Sequence, residues 1–148
     1  MIQILIMFFV IFSSARDGVP VAMLTFGINS GAYVAEIFRA GIQSIDAGQM
    51  EAGRSVGLSW TTTMVKIIIP QAIKNILPAL GNEFISTIKG TSLASVFFIG
   101  ELMTSYLKVK GATYLAFECL IIVAVIYFVL TFGLSKLIGL YERKLNKA

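Results

Sequence analysis

The chain has no histidine and one cysteine, Cys119, which lies inside an apolar run. A His/Cys metal site, a disulfide framework and a Ser–His or Cys–His nucleophile pair are therefore excluded. Charge is also scarce, with only 14% of residues charged, and proline occurs three times. No G-x-x-x-x-G-K-[ST] phosphate loop is present, so this sequence carries no Walker-type nucleotide site of its own. It shows neither an internal repeat nor a low-complexity segment. What fills the space is apolar: 57% of 148 residues are hydrophobic and the mean hydropathy is +0.85. That composition makes an integral membrane protein the default, and its apolar runs, read as helical spans below, make the expected fold class all-α. The net charge of +4 reads as membrane topology rather than as a nucleic-acid footprint.

The opening "MIQILIMFFVIF" lacks a charged n-region and a small-residue cleavage site, which argues against a signal peptide. It is apolar but short of the roughly 20 residues a span requires, and reads as the second half of one. "SSARDGVP" follows, with Gly18 and Pro20 as turn formers. Residues 20–41 form a helical span, and 42–69 are polar. A span is expected over 71–89 and the clearest one over 113–138. Arg39, Arg54, Lys66 and Lys74 flank one end, and Lys136, Arg143, Lys144 and Lys147 mark the other. Both basic regions belong on the cytoplasmic side, which demands an even number of crossings between them. The segment 91–107 is the weakest span, so 90–112 is expected to lie at the outer surface or to re-enter, as a gate or a fixed plug. The total is three to four spans. The tail, about 139–148, is basic and cytoplasmic.

The stretch "EAGRSVGLSWTTTMVKIIIP" interrupts this pattern. Asp46 with Gln49 fits a capping box, and Glu51 lies near the positive helix end. Gly57 suits the left-handed residue that closes the helix, and Ser59 can cap a second one. In that second helix Trp60, Met64, Ile67 and Ile68 share a face. Pro70 suits the first turn of the span that follows. Two short helices joined by a glycine turn are predicted over about 46–69, at the membrane surface.

The same residues resemble the motif of ABC importer permeases: Glu-Ala-Ala, three residues, Gly, nine residues, Ile, one residue, Leu-Pro. Here it reads Glu51-Ala52-Gly53, Gly57, Ile67 and Ile69-Pro70, with every spacing kept. Gly53 stands for the second Ala and Ile69 for Leu. Gly in place of Ala loosens a helix by about 1 kcal/mol, which questions its rigidity. The surrounding "GINSGAYVAEIFRAGIQSIDAGQMEAGRSVGLS" and "IIIPQAIKNILPALGNEFISTIKGTSLASVFFIGEL" resemble the polar amino acid permeases of the histidine/glutamine/arginine uptake type. The resemblance runs from about residue 20 to the end. It implies a single, N-terminally incomplete permease domain over 1–148, with the type I importer fold, in a bacterial cytoplasmic membrane. It also implies a coupling-helix pair in which Glu51, Ala52, Gly53, Gly57, Leu58 and Pro70 are docking and turn positions. Implied partners are ATP-binding subunits that hold ATP and Mg, a second permease subunit (the same or different), an extracytoplasmic amino acid-binding protein, and membrane lipid. The chain itself is expected not to be an enzyme.

For the transport path, Asn29, Tyr33 and Glu36 recur on one face of the span before the coupling region. Asn75, Asn82, Ser86 and Lys89 cluster on the span after it, with Glu83 beside them. Ionisable groups inside spans are costly and commonly functional. Glu83 or Glu36 suits a substrate ammonium, and Asn82, Thr91 or Ser92 a carboxylate. Polar residues also bind helices to one another, Lys89 is placed to snorkel, and Glu36 is within reach of Arg39 or Lys74. "GINSG" is a G-x-x-x-G, equally suited to a subunit contact or to packing within the chain. Two other classes stand beside the importer subunit. A stand-alone secondary transporter or channel would show pseudo-symmetric halves, which are absent here. A truncated, non-transporting remnant fits the incomplete first span.

Overall fold

The computed structural model describes residues 2–13, 17–97 and 99–145. Residues 14–16 of the expected turn, Phe98 of the outer segment, and Lys147 with the end of the basic tail lie outside them. All regular structure among the described residues is helical. Helix α1 (Ile2–Ile6) runs into a wide π-helical turn, Met7–Ile11. Then come α2 (Gly18–Gln43), α3 (Ala47–Ser55) and α4 (Trp60–Thr63). A second π-helical turn, Met64–Ile68, leads into α5 (Ile69–Gly90). A 3-10 segment (Thr91–Phe97), α6 (Leu102–Thr113) and α7 (Ala116–Leu145) complete the order.

Two helices are long and apolar enough to cross a membrane, Gly18–Gln43 and Ala116–Arg143. That is fewer than the three to four expected. α1 with its π turn covers only the ten residues Ile2–Ile11, about 15 Å of helix. α5 has 22 residues, enough length, but carries Gln71, Lys74, Asn75, Asn82, Glu83 and Lys89. Boundaries differ too. Gly18 and Pro20 belong to the first turn of α2 rather than to a loop, because a proline there breaks no intrahelical bond. α7 extends past residue 138 to Leu145. Between α5 and α7 the backbone forms two pieces, and α6 has 12 residues. At about 18 Å it is too short to cross.

α5 is the centre of the packing, with α2 on one side and α7 on the other. Small residues set both approaches. A Cβ on Gly41 of α2 would collide with Ile76 Cγ1, and one on Gly81 of α5 would stand 2.7 Å from Ile138 Cγ2 of α7. Ile76 and Ala72 are buried there, the former burial contributing about 1.5–3 kcal/mol. Buried Thr25 donates to its own helix at Val21 O, 2.7 Å, so its hydroxyl costs little. Most large side chains of α7 stay exposed, including Phe117, Ile122, Phe128 and Val129. A continuous apolar surface of that kind belongs against lipid.

The 3-10 segment tucks beneath the N-terminal helix. Phe97 is buried and stacks on Phe8, ring centroids 4.0 Å apart and planes at 22°. α6 begins at Glu101, whose carboxylate accepts from the N–H groups of Met103 (2.7 Å) and Thr104 (2.5 Å). Tyr127 of α7 donates to the same carboxylate at 3.4 Å, tying α6 to the long helix.

Candidate functional site

The polar stretch folds into a tight helical pair. Asp46 caps α3, its Oδ1 accepting from Gly48 N at 2.6 Å. The capping box is incomplete: among the described hydrogen bonds, the Gln49 side chain makes no return bond to Asp46 N–H. Gln49 instead contributes its backbone N–H to Asp46 O, 3.0 Å. At the other end Leu58 N donates to Gly53 O (3.1 Å) and Gly57 N to Arg54 O (3.0 Å). This is a Schellman closure, and it needs the left-handed φ of +87° at Gly57. Ser59 caps α4 as expected, its Oγ accepting from Thr62 N at 3.1 Å.

Gly53 is the point of contact. It is buried, and a Cβ there would lie 2.6 Å from Thr63 Cγ2 and 2.9 Å from Thr63 Oγ1. Thr63 is itself fully buried and its hydroxyl donates to Ser59 O, 3.0 Å. The glycine that weakens α3 as an isolated helix is thus what lets α4 close against it. The expected loss of rigidity is offset by that contact.

The second helix differs from its expectation. Residues 60–90 form one uninterrupted helical run, α4 passing through the π turn into α5. Pro70 therefore sits one residue into α5, on a chain that is already helical. A proline ring there would press on the carbonyl four residues back and has no N–H to give it. The wider turn at Met64–Ile68, with Ile69 N donating to Met64 O, lies just ahead of the proline and relaxes that strain. Of the face assigned to Trp60, Met64, Ile67 and Ile68, only Ile68 is buried, while Trp60 is 55% exposed. Thr63 takes the inward position because the Gly53 contact sets the helix rotation. Glu51, Ala52, Val56 and Trp60 are left as an exposed surface, with Leu58 half-buried behind it.

A cavity of about 310 Å³ opens between α2 and α5. Asn29, Ser30 and Tyr33 line it from α2, and Glu83, Ser86 and Thr87 from α5, with Ile4, Phe26, Gly90 and Leu93 around them. Ser30 and Thr87 share a hydrogen bond at 3.0 Å across the two helices, and Thr87 Oγ1 donates to Glu83 Oε1 at 3.4 Å. Asn29 Nδ2 donates to Gln3 Oε1, 3.0 Å. The structure thus brings together Asn29, Tyr33, Glu83 and Ser86. Asn82, Lys89, Thr91 and Ser92 lie outside this lining, and the Thr91 and Ser92 hydroxyls donate to Ile88 O and Lys89 O. Glu36 faces Arg39 at 3.6 Å with both side chains 65% exposed, a pair of little energetic worth. Asn75 bonds Ser44 Oγ at 2.8 Å, well below the cavity. Sequence reasoning missed Ser30 and Thr87. The signal was there, since Ser30 adjoins Asn29 and Thr87 lies one turn beyond Glu83. Gly27 and Gly31 of "GINSG" have open space where a Cβ would be, so these two glycines meet no described part of this chain, while Asn29 and Ser30 between them bond Gln3 and Thr87.

The family model for the binding-protein-dependent transport system inner membrane component matches residues 1–147. The chain belongs to that family. Within this transport-component family it is similar to the probable glutamine ABC transporter permease protein GlnM of Bacillus subtilis, 40% identical over 89% of this chain. It is also similar to the nopaline transport system permease protein NocM of Agrobacterium fabrum, 42% identical over 92% of this chain. It spans 61% and 56% of the length of those two relatives. A crystal structure of an amino acid ABC transporter with histidines superposes with a TM-score of 0.90 at 46% identity, covering 97% of this chain and 68% of that one. The fold is therefore that of an ABC importer transmembrane component.

Proposed function

We propose that the chain is the membrane-spanning permease part of an ATP-driven importer for a polar amino acid, working by alternating access in a bacterial cytoplasmic membrane. The observation that carries this reading is the α3–α4 pair. It is closed by a Schellman turn, locked at Gly53–Thr63, and continuous with α5. Such a pair is a stiff knob on a helix that walls a polar cavity. Glu51, Ala52, Val56 and Trp60 present a surface suited to a groove on an ATP-binding subunit, where ATP and Mg would be held. Gly57 and Leu58 form the turn, and Pro70 with the π turn carries displacement into α5.

In this reading α5 is a third crossing, with Glu83, Ser86 and Thr87 turned toward the cavity rather than toward lipid, and the basic tail is cytoplasmic. Residues 1–148 then act as one permease domain, with 46–69 as its coupling segment. The polar cavity between α2 and α5 contributes to the substrate path. Glu83 meets an ammonium group, and Asn29, Ser86 and the Ser30–Thr87 pair supply neutral hydrogen-bonding groups. Gly27 and Gly31 leave a face of α2 open for a second permease subunit, and an extracytoplasmic binding protein delivers the substrate. The relatives' names, glutamine and nopaline among them, support a polar amino acid as substrate class.

The test is uptake of labelled polar amino acids into proteoliposomes holding the full transporter, with ATP hydrolysis read in parallel. Glu51→Lys should uncouple the two, leaving the ATPase subunits folded but unstimulated by substrate. Stimulation and uptake both unchanged in Glu51→Lys would overturn the coupling role.

A further inference from the structure

A second polar cavity, about 450 Å³, lies at the base of α5 and is lined by Ile45, Pro70, Gln71, Lys74 and Asn75. It is separate from the Glu83 cavity and close to the end of α5 at which the α3–α4 pair joins it. Lys74 is exposed and makes no ion pair with a described residue. Two amides flank it. Gln71 Nε2 donates to Ile67 O at 2.8 Å and Asn75 Nδ2 to Ser44 Oγ at 2.8 Å, which fixes both side chains while leaving each a second N–H. The result is one ammonium and two oriented amide donors over an apolar floor of Ile45 and Pro70. That is the donor set for a phosphodiester, with lysine as the point charge.

An apolar track adjoins it. Lys74, Leu77 and Gly81 fall at i, i+3 and i+7, one face of α5. Leu77 and Gly81, with Ile138 and Tyr141 of α7, line a shallow groove of about 170 Å³ whose one acidic member is Glu142 at the rim. Ile73 and Leu77 are 43% and 41% exposed beside the lysine. A charged cradle that passes within one helical turn into an apolar groove fits an amphiphile, not a free anion. We infer that this is a binding site for one anionic phospholipid of the inner leaflet, its phosphate on Lys74, Gln71 and Asn75 and an acyl chain along Leu77 and Gly81. A lipid seated there touches the loop entering α3 and Pro70 in the first turn of α5, so its presence would brace the joint between coupling pair and span. The inference rests on the membrane orientation proposed above, but not on the transport reading, because its readout is binding.

Native mass spectrometry of the full-length chain in mild detergent, with dioleoyl phosphatidylglycerol or dioleoyl phosphatidylcholine added, tests it. One phosphatidylglycerol should be retained in preference to phosphatidylcholine. Lys74→Gln should lower its occupancy about five-fold, the effect of one lysine at an anionic membrane surface. Lys74→Arg should keep it, and Lys108→Gln on the far side of the fold should leave it unchanged. The dihexanoyl lipid should bind more weakly than the dioleoyl one. Equal retention of the two headgroups, or Lys74→Gln without effect, would overturn the site. Displacement by millimolar inorganic phosphate would overturn the lipid in favour of a free anion.

Discussion

Gly53 and Thr63 meet so closely that neither position can grow: the space a methyl on Gly53 would need is occupied by the Thr63 side chain, 2.6 Å away. Thr63 cannot swing clear without giving up its bond to Ser59 O. Alanine at 53 improves helix propensity by about 1 kcal/mol but overpacks a buried contact at a cost of about 1–3 kcal/mol. Gly53→Ala should therefore destabilise the purified protein, and Gly53→Ala combined with Thr63→Ala should recover most of the loss. A thermal-unfolding double-mutant cycle measures the coupling. Strict additivity of the two changes would show that the contact carries no energy.

Gly57 carries a different constraint, since no atom crowds it but its φ is +87°. Gly57→Val should cost about 1–2 kcal/mol of backbone strain, with Gly57→Asn costing less. The loss should appear as a lower unfolding midpoint and as weaker stimulation of the partner's ATP hydrolysis by substrate. Equal midpoints for valine and asparagine would mean the turn is not held left-handed.

Glu101 satisfies two backbone donors at the start of α6 and receives Tyr127 from α7. Glu101→Ala should cost about 1 kcal/mol as a lost cap, and Glu101→Gln less, because one acceptor oxygen remains. Tyr127→Phe, which removes only the long 3.4 Å bond, should be milder than either. Hydrogen exchange at the Met103 and Thr104 amides is the direct measure, and it should quicken in the alanine variant.

In the α2–α5 cavity, Glu83→Gln removes the negative charge while preserving shape. Uptake KM should rise at least ten-fold, about 1.4 kcal/mol of lost substrate binding. Glu36→Gln, outside the lining and already beside Arg39, should leave KM unchanged. The same KM for both variants would remove Glu83 from the substrate path.

The local signals of the α3–α4 pair were legible because each is a single-residue event. Ser59 as a cap and Gly57 as a left-handed turn are decided within four residues of chain. The inward position of Thr63 was not legible, since it follows from the absence of a side chain at Gly53 on a different helix. Nor was the continuity of α4 with α5. Pro70 reads as a start signal, and only the π turn ahead of it allows the helix to pass through. In the cavity, periodicity placed Asn29 with Tyr33 and Ser86 near Glu83. It also gathered Asn82 and Lys89, because a helix face is wider than the strip that another helix leaves open. Ser30 and Thr87 escaped notice as ordinary hydroxyls until the crossing of α2 and α5 paired them.

The unbroken helix over residues 60–90 has a mechanical consequence. At 1.5 Å per residue its axis runs about 46 Å from Trp60 to Gly90, and the π turn at Met64–Ile68 and Pro78 inside α5 are the two places where it can bend. A tilt of only about 5° about the Trp60 end moves the far end by about 4 Å. Beside Glu83, about 35 Å along the same axis, the same small rotation at the base becomes a displacement of about 3 Å.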